Sequence, residues 1–173
     1  MSAQLRNQAG AHEGSQAGAT AHGVSPDAAM PHRVTGISIF LENKSGRLAQ
    51  VTQALADVGI NMRALCIAET IDYGVLRIIV NDPALAKRVL TEGGFTVTET
   101  NVLVVEIEDR PGGLARVIKV LAAAQINIEY IYAFLTRSEK AFVVFRLEKL
   151  EEAVRALQAA GVRILTGAEV YAL

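Results

Sequence analysis

Apolar and polar positions between Val34 and Tyr171 follow one order of periodicities, and that order occurs twice. Ile37, Ile39 and Leu41 alternate with Ser38 and Phe40, which predicts a strand. Asn43-Lys44-Ser45-Gly46 then reads as a turn, and Leu48, Val51, Leu55 and Val58 recur at helical spacing until Gly59 stops the helix. Asn61 to Thr70 is a second strand, Asp72-Tyr73 a hairpin turn, and Gly74 to Val80 a third strand. Asp82-Pro83 has the form of a helix start, with Asp as N-cap and Pro at the first helical position. That helix carries Leu85, Val89 and Leu90 and ends at Gly93-Gly94, and Phe95 to Glu99 is the last strand.

The second round runs in the same sequence of elements. Val102–Ile107 is a strand, Leu114–Ala124 a helix with Leu114, Val117, Ile118 and Leu121 inward, and Ile128–Leu135 a strand. Ala141–Leu147, a helix near Leu150–Ala160 stopped by Gly161, and a strand over Val162–Tyr171 complete it. Gly46 falls on Gly112, Leu48 on Leu114, Leu55 on Leu121 and Asn61 on Asn127, at one offset of about 66 residues, too long for a solenoid unit. The fold class is therefore α+β: two ferredoxin-like βαββαβ repeats with antiparallel sheets, side by side. Val102-Leu103-Val104-Val105 is apolar in succession, and Tyr130, Tyr132 and Phe134 alternate with Ile131, Ala133 and Leu135. Both faces of those strands are expected to be covered, by another sheet or another chain.

The expected organisation is a low-complexity tail over 1–33, one domain over 34–99 and a second over 100–173. The tail is rich in Ala, Gly, Gln, Ser and His and lacks the large aliphatic residues needed to offset chain entropy. It also holds all three histidines, His12, His22 and His32, with no metal-ligand spacing. Imidazole-based catalysis thus has no candidate from Val34 onward. The net charge of −1 gives no long-range attraction for nucleic acid or anionic lipid. No apolar run approaches the roughly 18–20 residues of a membrane span. The single cysteine, Cys66, excludes an internal disulfide framework. A cytoplasmic protein is the expectation, with no metal or cofactor.

The most informative chemistry lies in the repeated loop. Asp109-Arg110-Pro111-Gly112-Gly113-Leu114, an amphipathic helix, and then Ile126-Asn127-Ile128 together resemble the signature of ACT domains. The first copy, Asn43-Lys44-Ser45-Gly46-Arg47-Leu48 with Gly59-Ile60-Asn61, looks like a variant of it. The resemblance covers roughly residues 35–171. It implies a ferredoxin-like regulatory module that binds an amino acid between domains; the covered strand faces argue for a homodimer, and any regulated enzyme is expected to be a separate protein. The loop chemistry suits such a ligand, because a glycine before a helix lets backbone N–H groups approach an anion and the helix terminus adds partial positive charge. An α-carboxylate would sit there, Asp109 or a loop carbonyl would accept from the α-ammonium group, and the amides of Asn61 and Asn127 offer both donor and acceptor.

The candidate ligand-binding residues are thus Asn43, Gly46, Arg47, Leu48 and Asn61 in the first repeat. In the second they are Asp109, Pro111, Gly112, Gly113, Leu114 and Asn127. Asn43 and Ser45 replace the acidic residue and the proline of the second copy, so the second is expected to suit an ammonium-bearing ligand better. Three other readings stand beside this one. Ala141-Phe142-Val143-Val144-Phe145 matches the end of an RNA-recognition motif, but Ser138-Glu139-Lys140 lacks its basic–Gly–aromatic start. Glu106 and Glu108 share a strand face, yet no catalytic motif accompanies them. The alternative function is a ligand-free dimerisation scaffold that docks to a partner enzyme or regulator.

Overall fold

A computed structural model describes residues 30–69, 73–135 and 140–173. Its elements are β1 (Val34–Glu42), α1 (Arg47–Asp57), β2 (Met62–Glu69), β3 (Tyr73–Val80), α2 (Pro83–Glu92) and β4 (Thr96–Glu108). There follow α3 (Gly113–Ala123), β5 (Ile128–Leu135), β6 (Lys140–Leu147), α4 (Leu150–Ala159), β7 (Arg163–Ile164) and α5 (Gly167–Ala172). The strands pair in the order β2-β3-β1-β4-β6-β5, with β7 also on β4, and every pairing is antiparallel. Each half is the βαββαβ unit expected. Residues 70–72, and with them Asp72 of the expected Asp72-Tyr73 turn, lie outside the described residues, and Tyr73 opens β3.

The two strands expected at 95–99 and 102–107 are one. From Thr96 to Glu108 no glycine or proline interrupts the chain, so nothing turns it, and β4 runs through as 13 extended residues. Its first part pairs with β1, from Phe40 opposite Thr96 to Val34 opposite Val102. Its second part pairs with β6, from Leu103 opposite Phe145 to Glu108 opposite Lys140. The boundary expected between 99 and 100 falls inside this strand, which closes the first repeat and opens the second.

Three apolar clusters hold the molecule. Ile37, Ile39 and Leu41 of β1 meet Val51 and Leu55 of α1 and Leu90 of α2. Leu103 and Val105 of β4 meet Val117 and Leu121 of α3, Phe145 of β6 and Leu157 of α4. The third cluster joins the faces turned away from these helices: Ala64 and Ile79 from the first half, and Val104, Phe142 and Val144 from the second, edged by Tyr130, Tyr132 and Phe134. The second faces anticipated from the apolar runs therefore meet each other within one chain. Arg77 adds a guanidinium 4.2 Å from the centre of the Tyr130 ring, a cation–π contact that keeps its charge among aromatic groups. Burial pushes the Tyr132 hydroxyl above the usual phenol range, and Tyr130 and Cys66 nearby add to it.

The C-terminal segment differs from expectation. Only Arg163–Ile164 of the strand predicted over Val162–Tyr171 pairs with β4. Thr166-Gly167-Ala168-Glu169 instead forms a capping box, in which the Thr166 hydroxyl accepts from the Glu169 N–H and the Glu169 carboxylate accepts from the Thr166 N–H at 2.7 Å. The short helix that follows buries Val170 in the third cluster, while the Tyr171 hydroxyl accepts from the Thr35 N–H at 2.9 Å. Residues 30–33, expected to belong to the tail, dock here. The Pro31 carbonyl accepts from the Gly167 N–H at 2.8 Å, and His32 lies 3.3 Å from the Leu165 carbonyl.

Candidate functional site

The two glycine loops share one backbone. Gly46 has φ 89° and ψ −18°, and Gly112 has φ 91° and ψ −12°. Glycine adopts this left-handed region at no steric cost, and it lets the chain leave a strand and enter a helix within four residues. The carbonyl of each then accepts the first helical bond, from Gln50 and Arg116 respectively, both at 3.0 Å. Gly113 is glycine for a different reason. A Cβ there would overlap the Glu108 carbonyl oxygen, so the start of α3 lies directly against the end of β4.

A cavity of about 310 Å³ opens beside the second loop, at the small end of the usual range for ligand pockets. Arg110, Pro111, Gly112 and Gly113 form one wall, with Arg116 and Val117 from the first turns of α3. Glu106, Ile107 and Glu108 of β4, Lys140 of β6 and Gly161-Val162-Arg163 before and in β7 complete it. Sheet register brings these distant stretches together: Glu106 lies opposite Arg163, and Glu108 opposite Lys140. Glu106 is held by Arg163 at 2.9 Å and Lys140 at 3.5 Å, with its side chain only 14% exposed. Arg110 pairs with Glu108 and, as a hydrogen-bond donor beside it, keeps that carboxyl below the usual carboxylate range. Arg116 donates to the Ala160 carbonyl at 3.1 Å, and among the described residues no salt bridge reaches it.

The first repeat presents the same frame with different chemistry. Register aligns Phe40 with Glu106, Tyr73 with Lys140 and Thr96 with Arg163. Phe40 and Tyr73 face each other with ring centroids 5.2 Å apart where the second repeat has an ion pair. Gln50 stands where the second repeat has Arg116, and Arg47 lies 4.9 Å over the Phe95 ring instead of leaving the opening that Gly113 leaves.

Pro111, Gly112 and Gly113 thus line the cavity, whereas the other candidates do not. Asp109 is exposed and outside the lining, and Glu106 and Glu108 supply its carboxylates. Asn127 lies at the far end of α3 from Gly112, roughly 16 Å away for a helix of 11 residues. It is exposed, and its carbonyl accepts from the Glu148 N–H at 3.4 Å. Asn61 likewise donates its N–H to the Asn81 side chain at 2.8 Å, a closure at the start of β2. Asn43, Leu48 and Leu114 are exposed, Leu48 by 41% and Leu114 by 36%, and Arg47 bonds Gln50 at 2.8 Å. The Gly46 loop lies beside the start of β4 and the Gly112 loop follows its end. The length of that strand, roughly 40 Å for 13 residues, separates them. Arg116, in the first turn of α3, was not singled out as a ligand residue in the sequence, nor were Lys140, Arg163 and Glu106, whose convergence only strand register shows.

Fold and loops define a class: paired ferredoxin-like domains in which a glycine turn opens the first helix of each. The chain belongs to the family described as the ACT domain pair, whose model matches residues 32–166. Among solved structures it resembles protein BT0572 from Bacteroides thetaiotaomicron, at 41% identity over 82% of this chain and 98% of that one, with a TM-score of 0.79. The ligand-free regulatory subunit of aspartate kinase from Thermus thermophilus shares the fold at 22% identity, covering 75% of this chain and 93% of its own, with a TM-score of 0.55. Its counterpart from Thermus flavus does so at 24% identity over 73% and 92%, with a TM-score of 0.51. No curated protein sequence matches the chain.

Proposed function

We infer that this chain is a non-catalytic regulatory module that binds an amino acid at the loop between β4 and α3. The cavity at Gly112 carries the reading. It places an αL glycine, the N-terminus of an 11-residue helix and an arginine without an ion-pair partner among the described residues around one opening. An α-carboxylate there would accept from backbone N–H groups of the first turn of α3, in a field that the helix terminus and the nearby Arg116 already make favourable to an anion. The first repeat keeps the backbone but lines it with Phe40, Tyr73 and Phe95, so its role is structural or interactive.

Exposed apolar side chains support a homodimer. The free edge strands β2 and β5 carry Leu65 at 55%, Ile67 at 41% and Ile131 at 38% exposure, and Leu48, Leu114 and Ile118 are exposed on α1 and α3. An edge with unpaired backbone groups and apolar side chains is a template for pairing with another chain. A scaffold role, with docking and no ligand, rests on this same surface. A thermal-shift screen of the full chain against the twenty amino acids separates the two. Saturation at a hundredfold excess over Kd stabilises by about 2.7 kcal/mol, which at roughly 2–4 °C per kcal/mol raises the melting point by about 5–11 °C. If no amino acid moves it, the sensor reading falls and the scaffold reading stands.

A further inference from the structure

We propose that the Gly112 cavity selects an amino acid whose side chain is itself anionic, such as glutamate or aspartate; this rests on the amino-acid reading above. The lining carries four cationic and two acidic side chains. Both acids are already engaged: Glu108 by Arg110, and Glu106 by Lys140 and Arg163 together. No lining carboxylate is therefore left without a cation, and an α-ammonium group must turn to backbone carbonyls. Arg163 is shared with Glu169, which lies outside the lining, at 3.1 Å. Among the described lining residues, with that third carboxylate counted, cations outnumber carboxylates by one, and the N-terminus of α3 adds positive charge.

A zwitterion of zero net charge leaves this excess unanswered, whereas a ligand of net charge −1 cancels it. The geometry provides two anion positions. One is at Gly113 and the first turn of α3, for the α-carboxylate. The other is across the opening at Arg116, whose guanidinium can meet a carboxylate with two parallel hydrogen bonds, with the charge of Arg163 beside it. The first repeat holds neither cation, having Gln50 and Thr96 in their places. The selectivity therefore belongs to one site per chain.

Isothermal titration calorimetry of the full chain compares L-glutamate and L-aspartate with their isosteric amides, L-glutamine and L-asparagine, and with inorganic phosphate. The expected result is one site per chain that binds an acid at least tenfold more tightly than its amide, and more tightly than phosphate. Arg116→Gln removes the tenfold preference and leaves the melting point unchanged, since Arg116 is exposed and its hydrogen bond is to one carbonyl. Equal or stronger binding of the amide overturns the anionic-ligand assignment and leaves the amino-acid reading intact. Phosphate binding as tightly as either acid overturns the assignment as well. If these ligands give no heat while another amino acid raises the melting point, only this inference is lost. If no amino acid binds at all, both are lost.

Discussion

Gly113→Ala is the sharpest test of how the cavity is built. The added methyl group meets a backbone carbonyl oxygen, that of Glu108, which cannot rotate away as a side-chain end would. Either the end of β4 or the first turn of α3 must move. Overpacking of this kind costs about 1–3 kcal/mol, and 2 kcal/mol is the middle of that range. At roughly 2–4 °C per kcal/mol for a chain of this size, the melting point falls by about 4–8 °C. Gly112→Ala is destabilising for another reason. Its Cβ would meet nothing within 4 Å, so the cost is that of a left-handed backbone alone, about 1–2 kcal/mol. Asparagine separates the causes, because it visits the left-handed region more readily than alanine. Gly112→Asn should therefore be milder than Gly112→Ala, whereas Gly113→Asn should be no milder than Gly113→Ala. Urea denaturation of the four variants reads both comparisons. A Gly113→Ala variant as stable as the parent would refute the contact between strand end and helix start on which the cavity depends.

Three other outcomes follow from the packing and charges. Phe145 is fully buried among the residues joining β4, β6 and the helices of the second half, so Phe145→Ala should cost about 3–5 kcal/mol in denaturant unfolding; a loss below 1 kcal/mol would show that the cluster is not packed as described. The Glu169 carboxyl lies below its usual range because of the Thr166 N–H, then the Thr166 hydroxyl and Arg163. A depressed folded pKa means that its stabilisation is complete above the unfolded value of about 4.3 and is lost as pH falls through the lower folded value. The stability difference between the parent and Glu169→Gln should accordingly shrink on acidification below about pH 4, and a difference that grows instead contradicts the assignment. Leu65→Asp places a charge on the exposed edge of β2, so sedimentation should show a dimer turning into a monomer with no change in fold; a parent chain that is monomeric at every concentration removes the dimer.

Much of the fold was legible because local signals agree with it. The alternation at Ile37–Leu41, the helical spacing of Val51 and Leu55, and the Asp82-Pro83 helix start, where Asp82 caps Leu85 at 2.9 Å, each specify an element from a few adjacent residues. Fusion of two expected strands into β4 was less visible, because Thr100-Asn101 reads as a break when taken alone. Nothing local shows that β1 and β6 hold that stretch extended on its two sides. The C-terminal helix was a missed local signal: a strand was expected over Val162–Tyr171, yet Thr166 and Glu169 at capping-box spacing already marked a helix start. Pro111, Gly112 and Gly113 could be found as a loop at which a ligand meets backbone. Their partners could not, since Glu106, Lys140 and Arg163 converge only through antiparallel register.

Duplication has here produced one backbone with two linings. An aromatic pair, Phe40 and Tyr73, occupies the register positions at which Glu106 and Lys140 form an ion pair. The repeats thus hold the same strand-to-helix turn but offer different surfaces to whatever approaches it. Under the proposed function, such a division of labour would let one half contact a partner while the other responds to a metabolite. If the two were coupled, partner and ligand would alter each other's affinity by the same factor.

A crystal structure of the full chain grown with the amino acid that gives the largest thermal shift tests the central claim most directly. The account predicts density for that ligand between Gly112-Gly113 and Arg163, with its α-carboxylate on the N–H groups of the first turn of α3. A ligand bound at the Gly46 loop, or elsewhere with the Gly112 cavity empty, would contradict it.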